Sequence, residues 1–305
     1  MKVFLAGATG VIGKPVVRQL LAAGHDVVGL TRDPAWATEL EAAGVQPIVC
    51  DVFDHENLTA QLLSAKPDAV IHQMTAIPQR LDPRKIGTQL AATNRLRTEG
   101  TRILLQAAIA AGAERFIAQS IAFAYSPYGS GLRREEDALY DQAPPSFAAI
   151  IEAVQSLEDQ VANCEQLKGI VLRYGFFHGP GTVYADDGTF AEDVRRRRVP
   201  IIGPGTGVFS FIHVDDAAAA TVAALSDTRF TAYNIVDDHP MAVADWLPPY
   251  AAALNAPRPR RVPRRLARIV AGGYAVYLMC DLPGVSNERA KQALGWSPQH
   301  TMNAR

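Results

Sequence analysis

Cysteine is scarce in this chain. Of 305 residues only Cys50, Cys164 and Cys280 are cysteines, far apart and in no Cys-x-x-Cys or Cys/His group. That excludes a disulfide framework and a structural metal site and fits a reducing compartment, so a cytoplasmic location is the expectation. Net charge is equally lacking. Thirty Lys and Arg against 31 Asp and Glu leave −1, so no global field recruits nucleic acid or an anionic membrane. Long apolar runs are missing too. The most apolar late stretch, Leu266 to Leu282, is short for a membrane span and holds Arg268, Gly272, Gly273 and Asp281, so it reads as an amphipathic helix packed on the body. The first residues pass from Met1-Lys2-Val3-Phe4-Leu5 straight into a glycine-rich turn, with no apolar segment and cleavage site, so export is not expected. Lysine is limited to six residues, Lys2, Lys14, Lys66, Lys85, Lys168 and Lys291, and none stands four residues after a tyrosine. No helical turn can therefore present a tyrosine and a lysine in that order.

What is present reads as a globular α/β protein. Hydrophobic residues make up 48% and charged residues 20%, enough for a sizeable core and too apolar for disorder. The first half alternates β-rich runs with helical patterns, which favours a parallel sheet with crossover helices on both faces. Strands are expected at Lys2 to Ala6, Asp26 to Thr31, Val45 to Cys50, Ala69 to Gln73, Arg115 to Gln119 and Gly169 to Arg173. Helices are expected at Val11 to Ala23, Ala35 to Ala43, about Asn57 to Ala65, Ile86 to Ala111 and Phe147 to Gln166. Gly24, Gly44 and Gly112 follow three of them as left-handed caps. Six strands with five crossovers make a Rossmann doubly wound sheet. It occupies Met1 to Tyr174, and a smaller mixed substrate-binding or lid region fills Gly175 to Arg305, with His213 to Val236 returning to the Rossmann body. The Pro/Arg segment Ala256 to Arg265 reads as an exposed connector.

The opening runs strand, Gly7-Ala8-Thr9-Gly10-Val11-Ile12-Gly13, helix. Gly7 permits the tight turn, Gly10 lets the backbone approach a pyrophosphate, and Gly13 lets the helix pack on the strand, while the helix N-terminus presents free N–H groups. This is the first βα turn, the place where a dinucleotide binds. At the end of the second strand, where an NAD-selective protein places an acid, stand Thr31 and Arg32. A guanidinium beside the ribose suits a 2′-phosphate, so NADP is favoured over NAD, although Asp33 could engage a hydroxyl.

With those residues the chain resembles the extended short-chain dehydrogenase/reductase family, the sugar-nucleotide epimerase and dehydratase group, over nearly its whole length. Further matches follow in order: Asp51-Val52, Val70-Ile71-His72, Gly100-Thr101 with Leu104-Leu105, Arg115-Phe116-Ile117, Leu172-Arg173 with Gly179-Pro180-Gly181, Phe211-Ile212-His213-Val214-Asp215-Asp216, and Leu294-Gly295-Trp296-Ser297-Pro298. The resemblance implies adenine contacts at Asp51 and Val52. It implies further cofactor contacts at Gln73, Thr75, Ser120, Tyr174 and Phe176. In that family a Ser or Thr after the fifth strand and Tyr-x-x-x-Lys on the next helix carry the acid/base chemistry. Here the hydroxyl position holds Ile121, with Ser120 one residue earlier, and the tyrosine and lysine positions hold Ile150 and Val154. The resemblance is thus to the atypical branch, in which fold and dinucleotide site persist without the triad.

Replacement proton donors are sought near the strand ends. Tyr125 and Tyr128 follow the fifth strand; Tyr125 matches a family tyrosine that is usually structural. Tyr174, Phe176 and His178 follow the sixth, and His178 could titrate near neutrality. Ser120 could hydrogen-bond a ligand or simply cap a turn. Tyr184, Asp186 and Asp187 form a loop that covers substrate or a solvated turn, and Arg195 to Arg198 form a diphosphate site or a solvated helix face. His213 and Asp215 match a signature concerned with packing the helix that starts there. The expected activity is an NAD(P)-dependent oxidoreductase acting on a small carbonyl or alcohol without the triad. Rival readings are a nucleotide-sugar epimerase or dehydratase, an NADP-binding redox sensor, and a redox-neutral biosynthetic enzyme. The resemblance also implies a homodimer joined through the helices Ile86 to Ala111 and Phe147 to Gln166.

Overall fold

The structure, a computed structural model, describes residues 1–227 and 231–302. Its nucleus is a seven-stranded parallel sheet. The strands are β1 (Lys2–Ala6), β2 (Asp26–Thr31), β3 (Gln46–Val49), β4 (Ala69–His72), β5 (Arg115–Ile121) and β6 (Lys168–Tyr174), and residues 176–178, 201–202, 208–209 and 211–213 form the short strands β7 to β10. β11 (Thr231–Ile235) completes the sheet in the order β11-β6-β5-β4-β1-β2-β3. Val3, Phe4, Leu5 and Ala6 are fully buried, as a central parallel strand covered on both faces requires. Six strands are expected from the sequence; the seventh, β11, pairs with β6 through Tyr233 and Leu172.

Helices α1 (Gly13–Ala22), α2 (Ala35–Ala42) and α3 (His55–Ala65) connect the first strands. Gly24 and Gly44 stop α1 and α2 at positive φ of 77° and 85°, as their lack of a side chain allows. The expected helix Ile86 to Ala111 is broken into α4 (Ile86–Gln89), α5 (Ala91–Arg95), a π turn at Leu96–Gly100 and α6 (Thr101–Ala110). The hydroxyls of Thr98 and Thr101 donate to the carbonyls of Asn94 and Leu96 at 3.0 and 3.4 Å, competing with the regular ladder where it widens. α7 (Pro145–Ala162) lies against this broken helix. Its outward residues Glu152, Gln155, Ser156, Asp159 and Gln160 border an open polar groove, and Ala107 and Ala108 are buried within the subunit. The outer face of α7 is therefore polar.

The C-terminal half adds α8 (Thr189–Arg195), α9 (Val214–Ala224), α10 (Val243–Ala253), α11 (Arg264–Val270), α12 (Gly272–Val276), a second π turn at Tyr277–Asp281 and α13 (Glu288–Leu294). Only the later part of Leu266 to Leu282 packs on the body. Gly272, at φ 85°, redirects the chain, so Tyr274, Val276 and Tyr277 are buried while Leu266, Ile269 and Val270 are 51%, 82% and 59% exposed. No helix among the described residues is long and apolar enough to cross a membrane.

α9 returns to α1, where Gln19 Nε2 donates to the Asp215 carbonyl at 2.8 Å and Arg18 pairs with the Asp215 carboxylate. Asp216, buried beside it, accepts from the Gln299 and His300 amides at 3.0 and 2.8 Å and meets His300 Nδ1 at 3.0 Å. Trp296 Nε1 donates to the Asp216 carbonyl at 3.0 Å. One carboxylate thus clamps the segment around Gln299 and His300. Asp216→Ala should lower stability by about 2–3 kcal/mol because two part-buried amides lose a charged acceptor. Asp215→Ala, which removes an exposed pair, should change it by less than about 1 kcal/mol; thermal melts of both variants check the contrast.

Candidate active site

The sheet order reverses between β1 and β4, and at such a point the loops after the strands diverge and leave a crevice. The Gly7–Gly13 turn forms one wall. A Cβ on Gly13 would lie 2.0 Å from the Gly7 carbonyl oxygen, and one on Gly7 would lie 2.8 Å from the Gln73 carbonyl. Helix, turn and β4 close on one another only with glycine at both positions. Gly10 and Val11 are exposed and no acid occupies the first turn of α1, so the unpaired amides of that turn are open to an anion and meet no competing carboxylate. A dinucleotide pyrophosphate fits this wall, with Thr9 and Ile12 in the same turn.

The next strand ends complete the row. Thr31 is buried and its Oγ1 accepts from the Asp33 amide at 3.2 Å, while the Asp33 carboxylate accepts from Ala35 N at 3.0 Å at the start of α2. Asp33 is thereby committed locally, and Arg32 is left exposed with no ion pair among the described residues. Asp51 Oδ1 accepts from Phe53 N at 2.9 Å, Val52 is buried and Thr75 is exposed. Gln73 departs from expectation. Its side chain turns into the core, where Nε2 donates to the Tyr174 hydroxyl at 3.0 Å, so only its backbone borders the glycine turn.

Tyr128 is exposed, while Ser120, Tyr125, Tyr174 and His178 are turned inward. Ser120 Oγ donates to Glu158 Oε1 at 2.6 Å. The same carboxylate takes Arg173 Nε at 2.9 Å and a terminal guanidinium nitrogen at 2.6 Å. The remaining Arg173 nitrogen donates to the Tyr125 hydroxyl at 2.7 Å and the Glu135 carbonyl at 3.0 Å. Tyr125 donates onward to Asn234 Oδ1 at 2.7 Å, and the Asn234 amide donates to Glu135 Oε1 at 2.9 Å. Tyr125 is fully buried, and burial pushes its pKa up to about 12 against the lowering effect of Arg173. Ser120 and Tyr125 are framework groups.

Tyr174 shares that fate. Thr221 Oγ1 donates to the Ala217 carbonyl, so the Tyr174 hydroxyl donates to Thr221 at 2.7 Å and accepts from Gln73. Burial raises its pKa to about 12. His178 is 6% exposed, edge-on to His213 at 5.1 Å and Phe211 at 6.2 Å. Burial, followed by His213, lowers its pKa to about 4, so it stays neutral at pH 7 instead of titrating there. His213 caps α9 by accepting the Asp215 amide at 3.2 Å on Nδ1 and stacks on His300 at 4.2 Å, in keeping with a packing role. Asp186 and Asp187 are exposed. Arg195 to Arg198 are exposed as well, with Arg196 paired to Glu192 at 2.5 Å and Arg198 to Asp193 at 3.4 Å; this is a solvated face on which two of the four arginines pair with acids of the same helix.

Hydrocarbon and aromatic rings remain at the strand ends. Ile150 and Val154 are each 1% exposed and packed with Ile121, Phe147, Tyr274 and Tyr277. Phe123 follows β5 and Phe176 follows β6; their rings stack at 4.4 Å, and Phe176 stacks again on Phe209 at 4.4 Å. Tyr184 meets Phe176 edge-on at 6.4 Å and Phe211 at 5.4 Å, joining this stack to Trp246. Glu158 and the ring stack are missing from the sequence-based site. The stack joins residues up to 86 positions apart, from Phe123 to Phe209.

The profile of the NAD dependent epimerase/dehydratase family matches residues 3–236. The chain belongs to that family. It is 45% identical over 302 residues to the 3-diazoavenalumate denitrifying reductase of a Streptomyces species, across 98% of this chain and 97% of that one. The UDP-glucose 4-epimerase of Thermotoga maritima with UDP-glucose superposes with a TM-score of 0.76 at 21% identity, over 99% of this chain and 95% of that one. The Thermus thermophilus UDP-glucose 4-epimerase complex with NAD gives 0.73 at 23%, over 99% and 95%. At these identities the two structures establish that the family fold extends over the whole chain.

Glu158→Gln should destabilise the protein by about 3–5 kcal/mol, because it strands the buried Arg173 guanidinium; denaturant unfolding measures it. His72 and His178 both have folded pKa values of about 4 from burial, against an ordinary 6.5. Between pH 6.5 and 4 the unfolded chain therefore binds more protons at these sites, and stability is lost as pH falls through that window. Asp237, raised to about 6 by burial, works in the opposite sense over the same window. With two groups against one, the melting temperature should fall from pH 7 to pH 5, and His178→Gln should flatten the decline.

Proposed function

We propose that this protein is an NADP-dependent reductase that removes a diazo group from a planar conjugated aromatic compound as dinitrogen. The observation that carries this reading is the packed hydrocarbon of Ile150 and Val154 where a phenol and an ammonium would otherwise serve a substrate oxygen. Reduction of a carbonyl needs an acid or oxyanion stabiliser at that oxygen. The first-expected carbonyl or alcohol substrate is therefore disfavoured, and so is epimerisation. An aryl diazonium carries its own positive charge and accepts hydride at its terminal nitrogen without one. A reduced nicotinamide supplies that hydride. Overall, the hydride would form an N–H bond at the terminal nitrogen to give an aryl diazene; the diazene then loses that N–H proton as its aryl C–N bond breaks and dinitrogen leaves, and the ring carbon takes a proton from water, so that one reduced nucleotide is oxidised per turnover.

The chain's own residues bind and exclude water. The Gly7–Gly13 turn would hold the pyrophosphate, and Arg32, exposed and unpaired, would take a 2′-phosphate. Phe123, Phe176 and Phe209 stack on one another and make the strand ends apolar and water-excluding. The substrate named for the 45% identical relative, 3-diazoavenalumate, agrees in class with this wall. A homodimer through α5 to α7 is part of the proposal, its contacts drawn from polar side chains, and sedimentation as a monomer at micromolar concentration would remove it.

The test uses purified protein with NADPH and an ortho-diazophenol bearing a conjugated carboxylate chain. Loss of nicotinamide absorbance should match dinitrogen release one to one, and in deuterated water the arene should gain one deuterium at the vacated ring carbon. Nucleotide oxidation without dinitrogen, or faster turnover of simple ketones, would sink the reading. Arg32→Ala should weaken NADPH about tenfold, as expected for a charge-assisted phosphate contact, and leave NADH unchanged; fluorescence titration of both nucleotides separates the cases.

A further inference from the structure

Arg97 lies on the π turn between α5 and α6 and is 5% exposed. One of its guanidinium nitrogens is completely buried with no hydrogen-bond partner, and it makes no ion pair among the described residues. The nearby charges do not balance it. Glu158 is within electrostatic reach, yet both its oxygens are engaged by Arg173. Two guanidinium groups thus share one carboxylate. His72, also close by, is buried and carries no compensating charge. A buried cation without a counter-charge costs several kcal/mol, and an apolar side chain of similar volume would be more stable there. Such a group is a natural receptor for an anion brought by a ligand.

A second polar group reaches the same place from the opposite half of the chain. Tyr274, on α12, packs its ring on Phe147 at 4.8 Å and shares an apolar cluster with Ile150 and Val154. Its hydroxyl has no protein partner among the described residues and lies within electrostatic reach of Arg97. Both groups sit beside α7, Arg97 within one π turn and Tyr274 just before the other. π turns are rare and concentrate at functional sites; here both pack around the α7 surface that lacks the family's polar pair.

We infer that Arg97 and Tyr274 form an oxyanion-binding pair that takes the carboxylate or phenolate of a conjugated aromatic substrate. Charge comes from the guanidinium and a directed hydrogen bond from the phenol. This assignment rests on the proposed aromatic substrate, while its binding test is independent of hydride transfer.

The experiment is calorimetric titration with 4-hydroxycinnamate, its methyl ester and 4-methoxycinnamate, with and without saturating NADPH, on wild type, Arg97→Met, Arg97→Lys and Tyr274→Phe. Wild type should prefer at least one probe that keeps the oxyanion by about tenfold or more. The ester and the methoxy acid identify which oxygen is bound. Arg97→Met should abolish the preference, Arg97→Lys restore part of it, and Tyr274→Phe reduce it severalfold, with NADPH affinity unchanged in all. Arg97→Met should also melt no lower than wild type, which a merely structural arginine would not allow. Equal binding of charged and uncharged probes by the wild type, or an unchanged preference in Arg97→Met and Tyr274→Phe, overturns the inference. Failure of NADPH to bind while the preference persists overturns the reductase reading and leaves the oxyanion site standing.

Discussion

The pairing of Glu158 with Arg173 is the constraint on which the rest of the catalytic end depends. Glu158 belongs to α7 and Arg173 to β6, and their two parallel hydrogen bonds fix the helix against the sheet. The same two side chains then reach Ser120 at the end of β5, Tyr125 beyond it and, through Tyr125, Asn234 on β11. Three strands, one helix and the loop through Glu135 are held by a single chain of hydrogen-bonded polar groups. Buried ionic groups of this kind add little stability by comparison with hydrocarbon, but removing one member is expensive. Their use here is registration: the rings that follow β5 and β6 are set face to face because the strands beneath them are locked.

That locking changes what the catalytic end can do. In a site organised around a phenol and an ammonium, the helix contributes reactive groups. Here α7 turns Ile150 and Val154 into the core and gives Glu158 to the framework, and aromatic rings stack at the ends of β5 and β6. Low polarity strengthens any remaining charge interaction, so a single guanidinium at the margin carries more weight than it would in a wet cleft.

Much of the fold was legible in the residues. Continuous apolar runs such as Val3 to Ala6, helix-ending glycines and the Gly7–Gly13 turn are governed by local sterics, and these elements stand within a few residues of their expected positions. β11 was harder, since Thr231 to Ile235 acquires its strand character from pairing with β6. The site was less legible for the same reason. Ser120, Tyr125 and Tyr174 sit at strand ends, where a ligand would be met, but their hydroxyls are claimed by Glu158, Asn234 and Thr221, partners 38 to 109 residues away. His178 is silenced by burial, which a sequence does not display. Arg97 lies on a widened turn, so helical periodicity alone misplaces its face.

The contribution of β11 to the sheet also bears on synthesis. A ribosome-bound chain that has exposed residues up to Tyr174 holds six strands with β6 as an open edge, its Ile170 and Leu172 awaiting cover. Such an edge is a template for pairing with another chain. It is sealed only when Thr231 to Ile235 has emerged, and α9 cannot dock on α1 before then without leaving that flank bare. The nucleotide-binding half is therefore not a separable module: a fragment ending at Tyr174 would be prone to associate through β6, and the intact protein completes its first half by means of its second.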